Sequence, residues 1–186
     1  MFSERLSFGG VALHLYGETP WQLSPACAPF RTEAAPAAHE IHIRLSDTMP
    51  TPPDGTPCSL RTYRWRTGAQ RHTLHDHVSD FTYAVTDGNS TELTVSMGYA
   101  ENLRTQLLLE GVDLFDILAE RGMLVLHSSY VLRAEGDAIL FSGASGIGKS
   151  TQAELWREFA SARVINGDRA LIDVDRGIAH GIFCSG

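Results

Sequence analysis

Nine consecutive residues, Gly143-Ala144-Ser145-Gly146-Ile147-Gly148-Lys149-Ser150-Thr151, limit what this chain can fold into more than any other stretch. They fit G-x-x-x-x-G-K-[ST], a loop whose glycines let successive backbone N–H groups converge on phosphate oxygens. The helix that such a loop opens adds partial positive charge at its N-terminus. Lys149 is placed to reach β- and γ-phosphates, and Ser150 to hold one position on Mg²⁺. The flanks agree with this reading. Ala138-Ile139-Leu140-Phe141 is a short apolar run suited to a buried strand, and Ser150 to Ala160 carries Ala153, Leu155, Trp156, Phe159 and Ala160 in a helix-compatible pattern. Strand, glycine loop and helix follow in the order a phosphate cradle requires.

The text on either side of the loop adds two candidate residues. Met123 to Arg133 reads as a strand, and the turn at Glu135-Gly136-Asp137 is so short that this strand and the one entering the loop must be antiparallel neighbours. That places His127 beside the loop, although a histidine in an apolar strand also fits a satisfied core residue. After the helix, Arg163-Val164-Ile165 leads into Asn166-Gly167-Asp168-Arg169. A carboxylate after a short apolar strand downstream of a phosphate loop, here Asp168, is where a metal-side or base group is wanted, and a solvated turn fits it equally well. Ala170 to Asp173 and Ile178 to Phe183, around Asp175-Arg176-Gly177, read as a final hairpin.

Residues 1–100 form a β-rich region. Val11 to Leu15 and Ile41 to Leu45 alternate apolar and polar, while Trp21 to Ala38 and Met49 to Pro57 read as loops. Leu60 to Arg66 and Arg71 to Val78 read as polar strands. Phe81 to Val85 and Leu93 to Met97 flank Asp87-Gly88-Asn89, a hairpin signal. The region is expected to be an antiparallel sheet supporting the nucleotide half. His72, His75 and His77 read as part of a solvated strand rather than a metal site, since only His75 and His77 share a face. From Asn102 to Arg121, Leu103, Leu107, Leu114 and Leu118 recur at helix spacing with Leu108, Phe115 and Ile117; Gly111 kinks or splits this helix and Gly122 ends it.

A formal net charge of −7 over 186 residues argues against a general nucleic-acid binder. Cys27, Cys58 and Cys184 are few and widely spaced, which fits reduced thiols better than a disulfide framework or zinc site. With no membrane-length apolar run and no signal-peptide pattern, the expectation is a soluble, cytoplasmic protein.

Taken in order, the strand with His127, the antiparallel return, the loop Gly143 to Ser150 and Asp168-Arg169 resemble the HPr serine kinase/phosphorylase family, which shares a fold with phosphoenolpyruvate carboxykinases. The resemblance covers about Met123 to Phe183. It implies an α/β (α+β) fold in which residues 101–186 form a mixed-sheet P-loop nucleotide-binding core. It also implies ATP with Mg²⁺ or Mn²⁺, and phosphoryl transfer to a serine of a protein or peptide. In that comparison Gly143 to Thr151 hold phosphate, Ser150 and Asp168 hold the metal, and Asp168, His127 and Lys149 are the catalytic set. Two departures stand out. Gly167 occupies a position where the family has a first aspartate, and the family continues with further strands beyond the point where this chain ends, so the core is read as incomplete at its C-terminus with an edge that favours self-association. Both departures support an alternative, a nucleotide-binding module or pseudo-enzyme without turnover. A carboxykinase-like enzyme shares the loop but needs substrate-binding arginines and lysines that this text does not identify.

Overall fold

The computed structural model describes residues 1–19, 23–33, 36–53, 61–77, 80–100 and 109–183. The chain divides into two compact units. One comprises Met1–Ser7 with Val11–Ile117, the other Phe8–Gly10 with Leu118–Gly186.

The first unit is a seven-stranded sheet made of β1 (Phe2–Phe8), β2 (Val11–Gly17), β3 (His39–Ser46), β4 (Thr62–Thr67), β5 (Gln70–Asp76), β6 (Phe81–Asp87) and β7 (Ser90–Ser96). The spatial order is β1-β2-β3-β7-β6-β5-β4. Period-two alternation builds its core face: Leu15, Ile41, Ile43, Ala84 and Leu93 are buried, whereas His14, Tyr16 and His42 stay partly exposed on the other face. The expected hairpin is present, with Asp87 opposite Ser90 around a Gly88-Asn89 turn in which Gly88 takes a φ of 54°.

The sheet is not antiparallel throughout, as the alternation had suggested. β2 pairs β3 in parallel, and β3 pairs β7 in parallel. Alternation marks a half-buried strand but carries no information about direction. Direction is set here by the 18–38 connection, which is longer than the dozen or so residues a parallel crossover needs and includes a 3₁₀ helix at Pro25–Phe30. The histidines separate by face. His75 and His77 stack with ring centres 6.3 Å apart, while His72 stacks on Trp65 at 5.0 Å. Cys27 is buried, and Cys58 and Cys184 lie outside the described residues.

A short helix α1 (Met97–Ala100) follows β7. Of the helix expected over Asn102–Arg121, the part with Leu103, Leu107 and Leu108 lies outside the described residues. From residue 109 the chain is helical to Gly111, breaks at Val112-Asp113 with Asp113 at a φ of 53°, and resumes as α2 (Leu114–Ala119). Gly122, at a φ of 75°, ends it by donating its amide to Ala119 O at 3.1 Å.

The second unit is built on the ten-residue strand β8 (Met123–Leu132). Its C-terminal half pairs β9 (Ala138–Ser142) on one edge, and β10 (Arg163–Asn166) pairs Tyr130 to Leu132. Its N-terminal half, Met123 to His127, pairs β11 (Arg169–Asp173), which in turn pairs β12 (Ile178–His180). Every one of these pairings is antiparallel. Among the described residues the mixed sheet is therefore the seven-stranded one, and the expectation of a mixed sheet around the loop is corrected: the 133–137 and 174–177 turns are short returns, which permit only antiparallel neighbours, while β10 and β11 follow one another along β8 and share one direction. Helix α3 (Lys149–Phe159) covers one face, with Ala153 buried against Val131 and Ala162, and Trp156 packed alongside Ile139, Phe141 and Val164. Among the described residues no helix is long and apolar enough to cross a membrane.

Candidate functional site

The glycine loop joins β9 to α3, as its flanks required. Ile147 donates its amide to Ala144 O at 3.3 Å, which tightens the middle of the loop into a turn. Gly146 and Gly148 take φ of 79° and 98°, the left-handed region that costs side-chain-bearing residues about 1–2 kcal/mol. Gly148 is the residue before α3, and the first bond of the helix runs from Gln152 N to Gly148 O at 2.9 Å. The amides of Lys149, Ser150 and Thr151 consequently have no intrahelical acceptor. Lys149 Nζ donates to Gly143 O at 3.1 Å and Ala144 O at 3.2 Å, so the ammonium lies over the loop's own carbonyls.

β8 delivers the next groups. Residues 127, 129 and 131 share one face of the strand, and Val131 on that face packs on α3, so His127 and Ser129 lie on the side of the loop. Ser142 Oγ donates to His127 O at 3.1 Å, tying the end of β9 to the histidine backbone. The fully buried Ser129 donates its hydroxyl to Gly167 O at 2.6 Å and lies 3.3 Å from Ser150 Oγ. Ser150 Oγ is 3.5 Å from the same carbonyl.

Asp168 sits in the break between β10 and β11, where its carbonyl accepts the amide of Ser128 at 2.9 Å. Asn166 shapes that break. Its Oδ1 accepts the amides of Asp168 at 2.9 Å and Arg169 at 3.0 Å, and its Nδ2 donates to Ile182 O at 2.8 Å. This side chain turns the chain so that the Asp168 carboxylate comes within 3.7 Å of His127 Nε2, with Arg169 Nε 3.2 Å from its other oxygen. Arg169 stands directly opposite His127 in the ladder.

The structure thus brings together the residues singled out from the text: Gly143 to Thr151 on one connection, His127 and Asp168 in contact, and Ser150 joined to the Asp168 segment through Gly167. His127 is exposed, so the alternative of a buried core histidine does not apply. Two contributors were missed, Ser129 and Asn166. The signal for Ser129 was its i, i+2 spacing from His127 on a strand. For Asn166 it was an Asn two residues before an Asp, the spacing of a side-chain-to-backbone turn.

The residues present fit a polyphosphate and one divalent cation. A Cβ at Gly146 would meet no atom within 4 Å, so the space beside this part of the loop is open, and the positive φ there favours glycine. Among the described residues no cluster of three or more His, Cys, Asp or Glu forms a self-sufficient metal cage. A hydroxyl and one carboxylate suit Mg²⁺, which is commonly shared with substrate phosphates. Compared with protein-family models, curated proteins and solved structures, the chain matches none of them.

Proposed function

We propose that this chain binds ATP with Mg²⁺ or Mn²⁺ and transfers a phosphoryl group to a serine of a protein or peptide, in the manner of the HPr kinase-like proteins its motif order resembles. The observation that carries the reading is the convergence on one loop of three independent chain segments: Lys149 and Ser150 at the start of α3, His127 on β8, and Asp168 between β10 and β11. In this reading the amides of Lys149 to Thr151 hold phosphate oxygens, and Lys149 exchanges two neutral carbonyl acceptors for charged ones, which bind an ammonium more strongly. Ser150 and Asp168 hold the cation, whose chemistry is to neutralise charge on the phosphates. Asp168 takes the proton of the attacking hydroxyl, and His127, in contact with that carboxylate, steadies its orientation and lies toward the phosphates.

A second reading keeps the nucleotide and drops the chemistry. Gly167 supplies no side chain, and Asp168 is engaged by Arg169, which favours a binding module over a two-carboxylate enzyme. A carboxykinase-like activity lacks a comparable support. One experiment separates the two. ATP binding by calorimetry should be weakened by Lys149→Ala, and Asp168→Asn should keep ATP affinity while lowering label transfer to offered peptides by about 10²-fold, the scale of a lost general base. Binding without any metal-dependent transfer in the wild type would leave the module; no binding at all would remove both readings.

A further inference from the structure

Ser129 is a fully buried hydroxyl in the middle of β8, and no part of the glycine-loop motif calls for it. Its contacts fix where protons lie. A hydroxyl has one proton to donate, and Gly167 O, 2.6 Å away, can only accept, so the Ser129 proton is committed there. In the 3.3 Å contact between the two hydroxyls, Ser129 is then the acceptor and Ser150 the donor. Among the described residues a second acceptor close to Ser150 is again Gly167 O, at 3.5 Å, on the same inner side. In either contact the Ser150 proton points inward and its lone pairs are turned outward, toward the exposed side of the residue, the orientation a hydroxyl needs to ligate a cation. The same Ser129 hydroxyl anchors the residue preceding Asp168.

We propose that Ser129 is a positioning residue that sets the hydroxyl of Ser150, and the peptide leading to Asp168, for a divalent cation; this rests on the nucleotide-and-metal reading above. The test is calorimetric titration of the full chain with ATP across a Mg²⁺ series and in EDTA. Ser129→Ala should raise the Mg²⁺ concentration needed for half of the metal-dependent tightening by about 10-fold, the scale seen when a partner behind a metal ligand is removed, and leave ATP affinity in EDTA unchanged. A purely structural role would weaken ATP equally with and without Mg²⁺, and that outcome overturns the proposal, as does an unaltered Mg²⁺ response. Ser129→Cys keeps the volume but donates weakly, so it should reproduce the alanine result where alanine compromises folding. If the wild type binds no ATP in either condition, the nucleotide reading itself falls and this inference with it; if it binds and only the Mg²⁺ shift is missing, this inference alone falls.

Discussion

Replacing Asn166 with alanine probes the device that places Asp168. The side chain is buried, accepts hydrogen bonds from the amides of Asp168 and Arg169, and donates one to the carbonyl of Ile182. At about 1 kcal/mol net for each bond, their loss amounts to about 3 kcal/mol, with an orphaned buried carbonyl pushing the figure upward. Asn166→Asp separates the parts: it keeps an oxygen for the two amides and loses the donor to Ile182. Native-state hydrogen exchange reads the effect locally, because a bond worth about 1 kcal/mol corresponds to about a fivefold change in opening. Asn166→Ala should accelerate exchange at the amides of Asp168 and Arg169 by at least that factor and lower the urea midpoint; Asn166→Asp should lower the midpoint while protecting those two amides. If Asn166→Ala leaves both amides as protected as in the wild type, the side chain is not what turns the chain, and the placement of Asp168 needs another cause.

Two further outcomes follow from the backbone and from burial. Gly148→Ala should destabilise the protein by about 1 kcal/mol in chemical denaturation: its φ is 98°, while the nearest atom to a new Cβ is Thr151 Cβ at 4.0 Å, so the penalty is conformational rather than a clash. A neutral substitution would mean the loop adopts another backbone. In the first unit, burial pushes the pKa of His75 below its ordinary value of 6.5, opposed by the charges of Asp113 and Glu110 and aided by His77 and Arg64. Its Nδ1 meets Thr62 Oγ1 at 3.1 Å, and its buried Nε2 has no partner among the described residues. The folded state thus prefers the neutral ring. The stability this contributes is complete above the unfolded pKa and is lost as pH falls below it. Urea midpoints should therefore decline from about pH 7 to 5, less steeply in His75→Gln, although His72, also lowered by burial, contributes with the same sign. An identical slope in the variant would remove His75 from the account.

The site was legible where chemistry is local. The glycine loop, its strand and its helix are contiguous, so residue type and spacing suffice to place them. The antiparallel return before the loop was legible too, because Glu135-Gly136-Asp137 is too short for anything else. The parallel pairing of β3 with both β2 and β7 was not, since strand direction depends on the path of a long connection and not on the pattern of Ile41 and Ile43. Ser129 and Asn166 were hidden for a related reason. A serine in a strand and an Asn in a turn are each ordinary alone, and their meaning comes from partners at Ser150, Gly167 and Ile182, 16 to 38 residues away in the chain.

The double pairing of β8 bears on the order in which the site comes together. Its contacts with β9 close a hairpin between Ser128 and Ser142, whereas His127 meets Arg169 only after 42 positions of chain have been drawn in. Closing the larger loop costs more entropy, and long-range pairings lag behind local ones when chains of this size fold. The strand edge that carries the glycine loop is therefore expected to form first, with the Asp168 segment docking beside a loop that is already in place. On the proposed reading, the groups that would hold phosphate are then in place before the carboxylate that would act on it, so the order of assembly separates the binding part of the site from its chemical part.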